Sequence, residues 1–166
     1  LGFDQAAIMG ALVFIQLIAF VATLAYIKLS KFIGLKNGIY LGIAGYLVII
    51  FAGYFTETIT HFYIVAFLIG CFQGGIQSLS RSLYSRIIPE NKAAEFYGFY
   101  NMLGKFAAVF GPILMGTVTL LLSGIVDDEI LAARFGLMSI MILFLLGGYI
   151  FSKVDIAEGE AIAKNL

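Results

Sequence analysis

Apolar runs of about twenty residues constrain this chain more than anything else in it. Five can be drawn, over residues 6–27, 39–55, 62–79, 99–126 and 131–152. A bilayer core needs roughly 20 residues of helix, with about 17 to 25 tolerated. The fourth run is long and the other four fit directly. Strands of a membrane barrel would be about half this length and would alternate in polarity; these runs do not alternate. The runs predict an all-α, polytopic membrane helix bundle over residues 1–154, with helices at about 6–27, 39–55, 62–80, 98–124 and 131–152, followed by a tail over 155–166. Composition leaves little choice of solvent. The chain is 61% hydrophobic and 12% charged, whereas charged residues supply about 25% of a soluble domain. The partner it demands is a lipid bilayer. A formal net charge of zero, with no basic patch to neutralise phosphates, excludes nucleic acid. Tyr26, Tyr40, Tyr54, Tyr63 and Tyr149 lie at or near the ends of apolar runs, where an interfacial aromatic belt sits.

The loops predict orientation. Lys28, Lys31, Lys36, Arg81, Arg86, Lys92, Lys153 and Lys164 fall on one side, and Arg134 alone falls on the other, beside Glu57, Asp127, Asp128 and Glu129. With Lys105 set aside, that is eight cations against one. By the positive-inside rule the eight are cytoplasmic, which puts the C-terminus inside and Leu1 outside. No charged n-region precedes the first run, so it does not read as a signal peptide. An outside N-terminus then needs an earlier helix to carry it across, and the chain is expected to be a piece of a longer protein.

Polar residues are distributed unevenly among the runs. The second and fifth runs are almost free of them, apart from Arg134 at one mouth and Ser139 within. Gln16 and Thr23 lie in the first, Gln73 and Gln77 in the third, and Asn101, Lys105, Thr117 and Thr119 in the fourth. Polar groups in hydrocarbon need partners, so these three helices are expected to face the interior of a bundle or a cavity. Glycine favours close packing at Gly70 and Gly74 in the third run, and at Gly104 and Gly111, with Ala107 and Ala108, in the fourth. Pro112 removes a backbone hydrogen bond and is expected to kink its helix near Ala108, as a structural bend or as the bend of a gate.

Residues 73–112 hold most of the polar chemistry. Gln73, Gln77 and Arg81 recur every four residues and share one helical stripe. The two amides read either as the lining of a solute path or as interhelical glue, at about 0.6 kcal/mol per bond. Arg81 reads as an interfacial anchor, alongside Arg86, or as half of a latch to Glu95 across the loop. Lys105 would cost about 2.5–3.5 kcal/mol at the midplane. It either snorkels to the cytoplasmic face or faces a cavity beside Asn101 and meets an anionic group of a solute. Pro89 stops the third helix, and Asn91 is placed to cap the fourth.

Nothing in the sequence resembles a catalytic or metal site. Cys71 is the one cysteine and lies in an apolar run, a packing residue rather than a nucleophile. His61 stands at a helix mouth with no second His or Cys at metal-ligand spacing. Glu57 and the acids at 127–129 read as solvated loop charges. No enzyme activity, cofactor or metal is expected.

The runs QSLSRSLYSRIIP, AEFYGFYN and GKFAAVFGP, within 73–112, cover about a quarter of the chain. They resemble the late helices of a major facilitator superfamily branch that includes the autophagy-linked vacuolar amino-acid effluxers of fungi and related bacterial permeases. The resemblance implies a twelve-helix fold in two halves. The five helices would be the eighth to twelfth, most of the C-terminal half, and the N-terminal half would be missing. It also implies that the eighth, tenth and eleventh helices line the central cavity. One departure stands out. The superfamily's loop signature, Gly-x-Leu-x-Asp-Arg-x-Gly-x-Lys, aligns with IKLSKFIGLK, where Leu29, Gly34 and Lys36 match but Ile27, Lys31 and Phe32 replace Gly, Asp and Arg. The leading expectation is a secondary active transporter moving a small polar solute, amino acids on the resemblance, by alternating access. Its path would be lined by Gln16, Gln73, Gln77, Asn101 and Lys105. It would be a multi-pass protein with a cytoplasmic C-terminus, in the plasma (inner) membrane of a bacterium. The alternative is a non-transporting membrane interaction or sensor protein that retains the fold.

Overall fold

The computed structural model describes residues 5–165; Leu1 lies outside them. Six α-helices account for nearly all of this length: α1 (Gln5–Ile33), α2 (Leu35–Tyr54), α3 (Ile59–Ile87), α4 (Ala93–Ser123), α5 (Glu129–Ser152) and α6 (Ile156–Asn165), with a 3-10 turn, Glu90–Lys92, before α4. Among the described residues there is no strand. Helices α1 to α5 are long and apolar enough to cross a bilayer. The chain is an all-helical membrane bundle.

Helix ends follow local chemistry rather than the limits of the apolar runs. A helix keeps its internal hydrogen bonds beyond the lipid edge, so α1 continues through Lys28 and Lys31 to Ile33. A single residue, Gly34, then joins it to α2. Its φ of 85° lies in the left-handed region, where a side chain would be strained and glycine is not. Helix α3 opens with the Thr58 hydroxyl accepting from the His61 backbone N–H at 3.2 Å. It ends where Ile88, ahead of Pro89, turns extended at φ −108° and ψ 146°, as the residue before a proline prefers. Asn91 sits inside the 3-10 turn, and the N-cap position of α4 is Lys92. Helix α5 starts at Asp128, whose carboxylate accepts from the N–H groups of Ile130 and Leu131 at 2.9 and 3.2 Å. That acid, read from sequence as a solvated loop charge, is a helix cap.

The long helices pack as a row. Helix α3 lies between α1 and α2, α2 lies between α3 and α5, and α4 packs on α5. Glycines set the closest seams. A Cβ built on Gly70 would stand 2.8 Å from Ile18 and 3.0 Å from the Ile15 carbonyl oxygen; one on Gly74 would overlap the Thr23 hydroxyl and lie 3.0 Å from the Ala19 carbonyl oxygen. Across the α2–α5 seam, Tyr46 and Phe144 stack at 5.0 Å. The best-buried cluster is Tyr26, Ile39, Leu79 and Leu83, bordered by Phe151 of α5 and Ile156 of α6. It lies toward the end of the bundle that carries the lysines of the α1–α2 turn, here called the basic end. There the Tyr26 hydroxyl donates to the Gly38 carbonyl at 2.7 Å. Lys36 Nζ donates to the carbonyls of Ser152 and Val154 at 3.3 and 2.7 Å, so a lysine from α2 caps the C-terminus of α5. Residues read as a tail thus include a helix, α6, that packs on α3.

Candidate functional site

The five residues expected to line a path sit on three helices. Gln16 on α1, Gln77 on α3, and Asn101 and Lys105 on α4 are exposed, and Gln73 on α3 is half-buried. Among the described residues none of the five side chains makes a hydrogen bond or ion pair, within its own helix or to another. Two of the three threonines behave differently. Thr23 donates to Ala19 O at 2.6 Å and Thr119 to Met115 O at 2.8 Å, each satisfying its hydroxyl inside its own helix. Of the intramembrane polar groups named from sequence, the amides, the lysine and Thr117 are the ones left open among the described residues.

Two of these residues, Asn101 and Lys105, are on α4. No residue of this helix is buried, and every residue from 101 to 110 is exposed. Added Cβ atoms at Gly104 and Gly111 would meet nothing within 4 Å. The helix runs unbroken through Pro112. Its hold on α5 is tight at one point: a Cβ on Gly136 would overlap the Thr119 hydroxyl and lie 2.7 Å from the Met115 carbonyl oxygen.

At the basic end α3 and α4 are joined by tyrosines. Tyr84 faces Tyr97 and Tyr100 with ring centroids 5.6 and 4.8 Å apart. Its hydroxyl donates to the Phe96 carbonyl at 2.9 Å, and that of Tyr97 donates to the Arg81 carbonyl at 3.3 Å. Arg81 therefore meets α4 through its backbone, and among the described residues no ion pair joins it to Glu95. Arg86 reaches Glu160 of α6 at 3.8 Å. At the opposite, acidic end Arg134 bonds Glu57 at 3.2 Å and lies 5.6 Å over the Tyr54 ring, so Glu57 is partnered rather than merely solvated. The loop signature residues take structural places: Gly34 makes the turn, Lys36 caps α5, and Leu29 is exposed. Sequence reading missed the tyrosine cluster, although Tyr97 and Tyr100 stand three apart just past the loop that brings them back to Tyr84. Among the described residues no group of three His, Cys, Asp or Glu side chains is placed to hold a metal ion.

Residues 1–164 match the family described as "Vacuole effluxer Atg22 like". The chain is 36% identical over 154 residues to the MFS-type transporter YxiO of Bacillus subtilis, covering 93% of this chain and 34% of that protein. It is 29% identical over 104 residues to autophagy-related protein 22 of Vanderwaltozyma polyspora, covering 63% of this chain and 18% of that protein. For autophagy-related protein 22 of Kluyveromyces lactis the identity is 25% over 104 residues, covering 63% of this chain and 20% of that protein. The chain thus spans about a third of the bacterial relative's length and about a fifth of the fungal ones'. No solved structure matches.

Proposed function

Because the chain belongs to the Atg22-like vacuole effluxer family, we propose that it is most of the C-terminal half of a secondary transporter. That transporter moves a small polar solute by alternating access. The basic end is cytoplasmic by the positive-inside rule. Gln16, Gln73, Gln77, Asn101 and Lys105 line the solute path against the remainder of the protein, and amino acids are the solute class that the effluxer relatives suggest. The observation that carries the reading is the open state of these polar groups. An unsatisfied polar group facing lipid tails costs several kcal/mol, so amides on the bare sides of α1, α3 and α4 call for a cover of protein or water. A cover that lets water in is a transport path.

Uptake or efflux by the full-length protein with Gln77→Ala and Asn101→Ala tests this. Each is expected to lower flux by roughly tenfold, the equivalent of one lost hydrogen bond to a polar solute. Unchanged flux across substrates in both variants would remove these residues from the path. Thiol labelling of Gln73→Cys and Gln77→Cys in a Cys71→Ala background gives a second measurement. Water-soluble reagent should reach both, and solute should protect them. A non-transporting interaction or sensor protein is the second reading, favoured by Lys31 and Phe32 standing where the loop signature has Asp and Arg. Proteoliposomes of the full-length protein with no flux under any gradient would select it.

A further inference from the structure

Two adjoining cavities of about 440 and 350 Å³ open at the basic end between the close of α1, the last turns of α3 and the start of α6. Lys31 and Arg86 line both, and they come from different helices. On α3 the second cavity is lined by Ser78 and Ser82 as well as Arg86, residues four apart that form one stripe. Among the described residues, the hydroxyls of Ser78 and Ser82 donate to nothing. Lys31 likewise has no hydrogen bond or ion pair among the described residues. Leu79 and Ile156 give the cleft an apolar floor. No carboxylate lines either cavity. Glu160, 3.8 Å from Arg86, lines a separate cavity and leaves most of the guanidinium's five donors uncommitted. Lys36 borders the first cavity but already donates to two carbonyls, so it contributes field rather than contact.

Lys31 and Arg86 in one cleft repel one another, less strongly for the Glu160 carboxylate 3.8 Å from Arg86, and an anion between the two cations reverses the sign. A planar guanidinium matches a phosphate in bidentate fashion, an ammonium adds a point charge, and free serine hydroxyls supply further donors. Lys31 and Arg86 close the last turns of helices long and apolar enough to span a bilayer, which places the cleft at headgroup level. Positive-inside marking alone would scatter cations over exposed ends; it does not require two of them to share a hydroxyl-lined hollow. We propose that the cleft formed by Lys31, Ser78, Ser82 and Arg86 binds a phosphate group. Its source is the headgroup of an anionic phospholipid or a free phosphate. The site is separate from the solute path and does not depend on transport.

The test uses the full-length protein in neutral detergent, titrated with dioctanoyl phosphatidylglycerol, dioctanoyl phosphatidylcholine and sodium phosphate, and followed by thermal shift. Saturable binding of phosphatidylglycerol is expected, weakened at least ~10-fold by Lys31→Gln with Arg86→Gln, about one charge-assisted bond. It should be unchanged by Lys92→Gln, which lies outside the cleft. Ser78→Ala with Ser82→Ala should weaken binding about 3-fold, and it serves if the charge variant does not fold. Phosphatidylglycerol binding that phosphate does not displace identifies a lipid site. Binding of phosphate alone, lost in the same variants, identifies a soluble ligand. Equal binding of phosphatidylcholine, no binding of either anion, or affinity unchanged in both cleft variants would overturn the proposal.

Discussion

Helices α3 and α4 are written in nearly the same idiom and stand in different surroundings. Each is an apolar span carrying polar residues four apart, Gln73 with Gln77 and Asn101 with Lys105, and each carries glycines at helical spacing. In α3 those glycines are filled by a neighbour: Gly70 and Gly74 press against the backbone and side chains of α1. In α4 the positions at Gly104 and Gly111 face empty space. A small-residue stripe therefore permits close approach without saying what approaches, and among the five spans described nothing fills that of α4. The same contrast explains the open amides. Three polar helices and two plain ones fold into a row in which α1 and α4 stand at the two ends and α3 is flanked by α1 and α2, so the row covers the seams between neighbours and leaves the amides of α1, α3 and α4 open.

The contrast can be broken by adding one side chain. Gly74→Val should be the most damaging change, because the new carbon overlaps Thr23 and meets a backbone carbonyl that has nowhere to move. Overpacking of this kind costs about 3 kcal/mol, and thermal unfolding of the full-length protein in detergent should show it directly. Gly104→Val is the paired measurement. Within the chain described it meets nothing and should change stability by less than about 0.5 kcal/mol. A loss at Gly104 equal to that at Gly74 would mean that another part of the full protein packs there as tightly as α1 packs on α3. A null effect would leave α4 beside an open or watery space.

Tyr84→Ala comes next in size. Between residues 101 and 110 α4 touches little, so the tyrosine cluster carries its contact with α3. Removing Tyr84 deletes two ring contacts and the bond to the Phe96 carbonyl. Aromatic pairs are worth about 0.5–1.5 kcal/mol and a hydrogen bond about 1, so about 2 kcal/mol should be lost. Protease cleavage in the 88–92 connection should quicken as α4 comes loose. A variant with unchanged cleavage would mean that α4 is held elsewhere.

How much of this was legible follows from the range of each interaction. Span number, helical class and the family branch depend on hydropathy and on motifs within 73–112, all local in sequence, and the structure and relatives agree with them. The capping of α5 by Lys36 joins residues more than a hundred apart, and no pattern announces it. Arg81 and Glu95 stand close across a loop, which suggests a latch, but a helix end fixes direction as well as distance, and that loop is bridged by tyrosines. Helix α6 reads as tail because it is short and follows the last apolar run; its Gly159 and Ile156 find a surface, at Ile87 and the cluster around Tyr26, that exists only after α1 to α3 have packed. The exposure of Gln77 and Asn101 was beyond sequence altogether, since it depends on which helices adjoin.

The smallest effect belongs to the acidic end, where Arg134 of α5 meets Glu57 in the connection between α2 and α3. The bond is short, 3.2 Å, but the Glu57 side chain is 66% exposed. Water screens such a pair, and exposed ion pairs contribute about 0–1 kcal/mol. Glu57→Gln should therefore lower stability by less than about 0.5 kcal/mol, and by less still as salt rises. Arg134→Gln should cost somewhat more, since it also removes the cation over the Tyr54 ring, about 0.5–1 kcal/mol at an exposed site. A double-mutant cycle separates the two contributions. If Glu57→Gln proved as costly as Gly74→Val, charge rather than fit would be holding the row together, and the contrast between α3 and α4 would have to be redrawn in terms of ion pairs, which α4's exposed stretch does not possess.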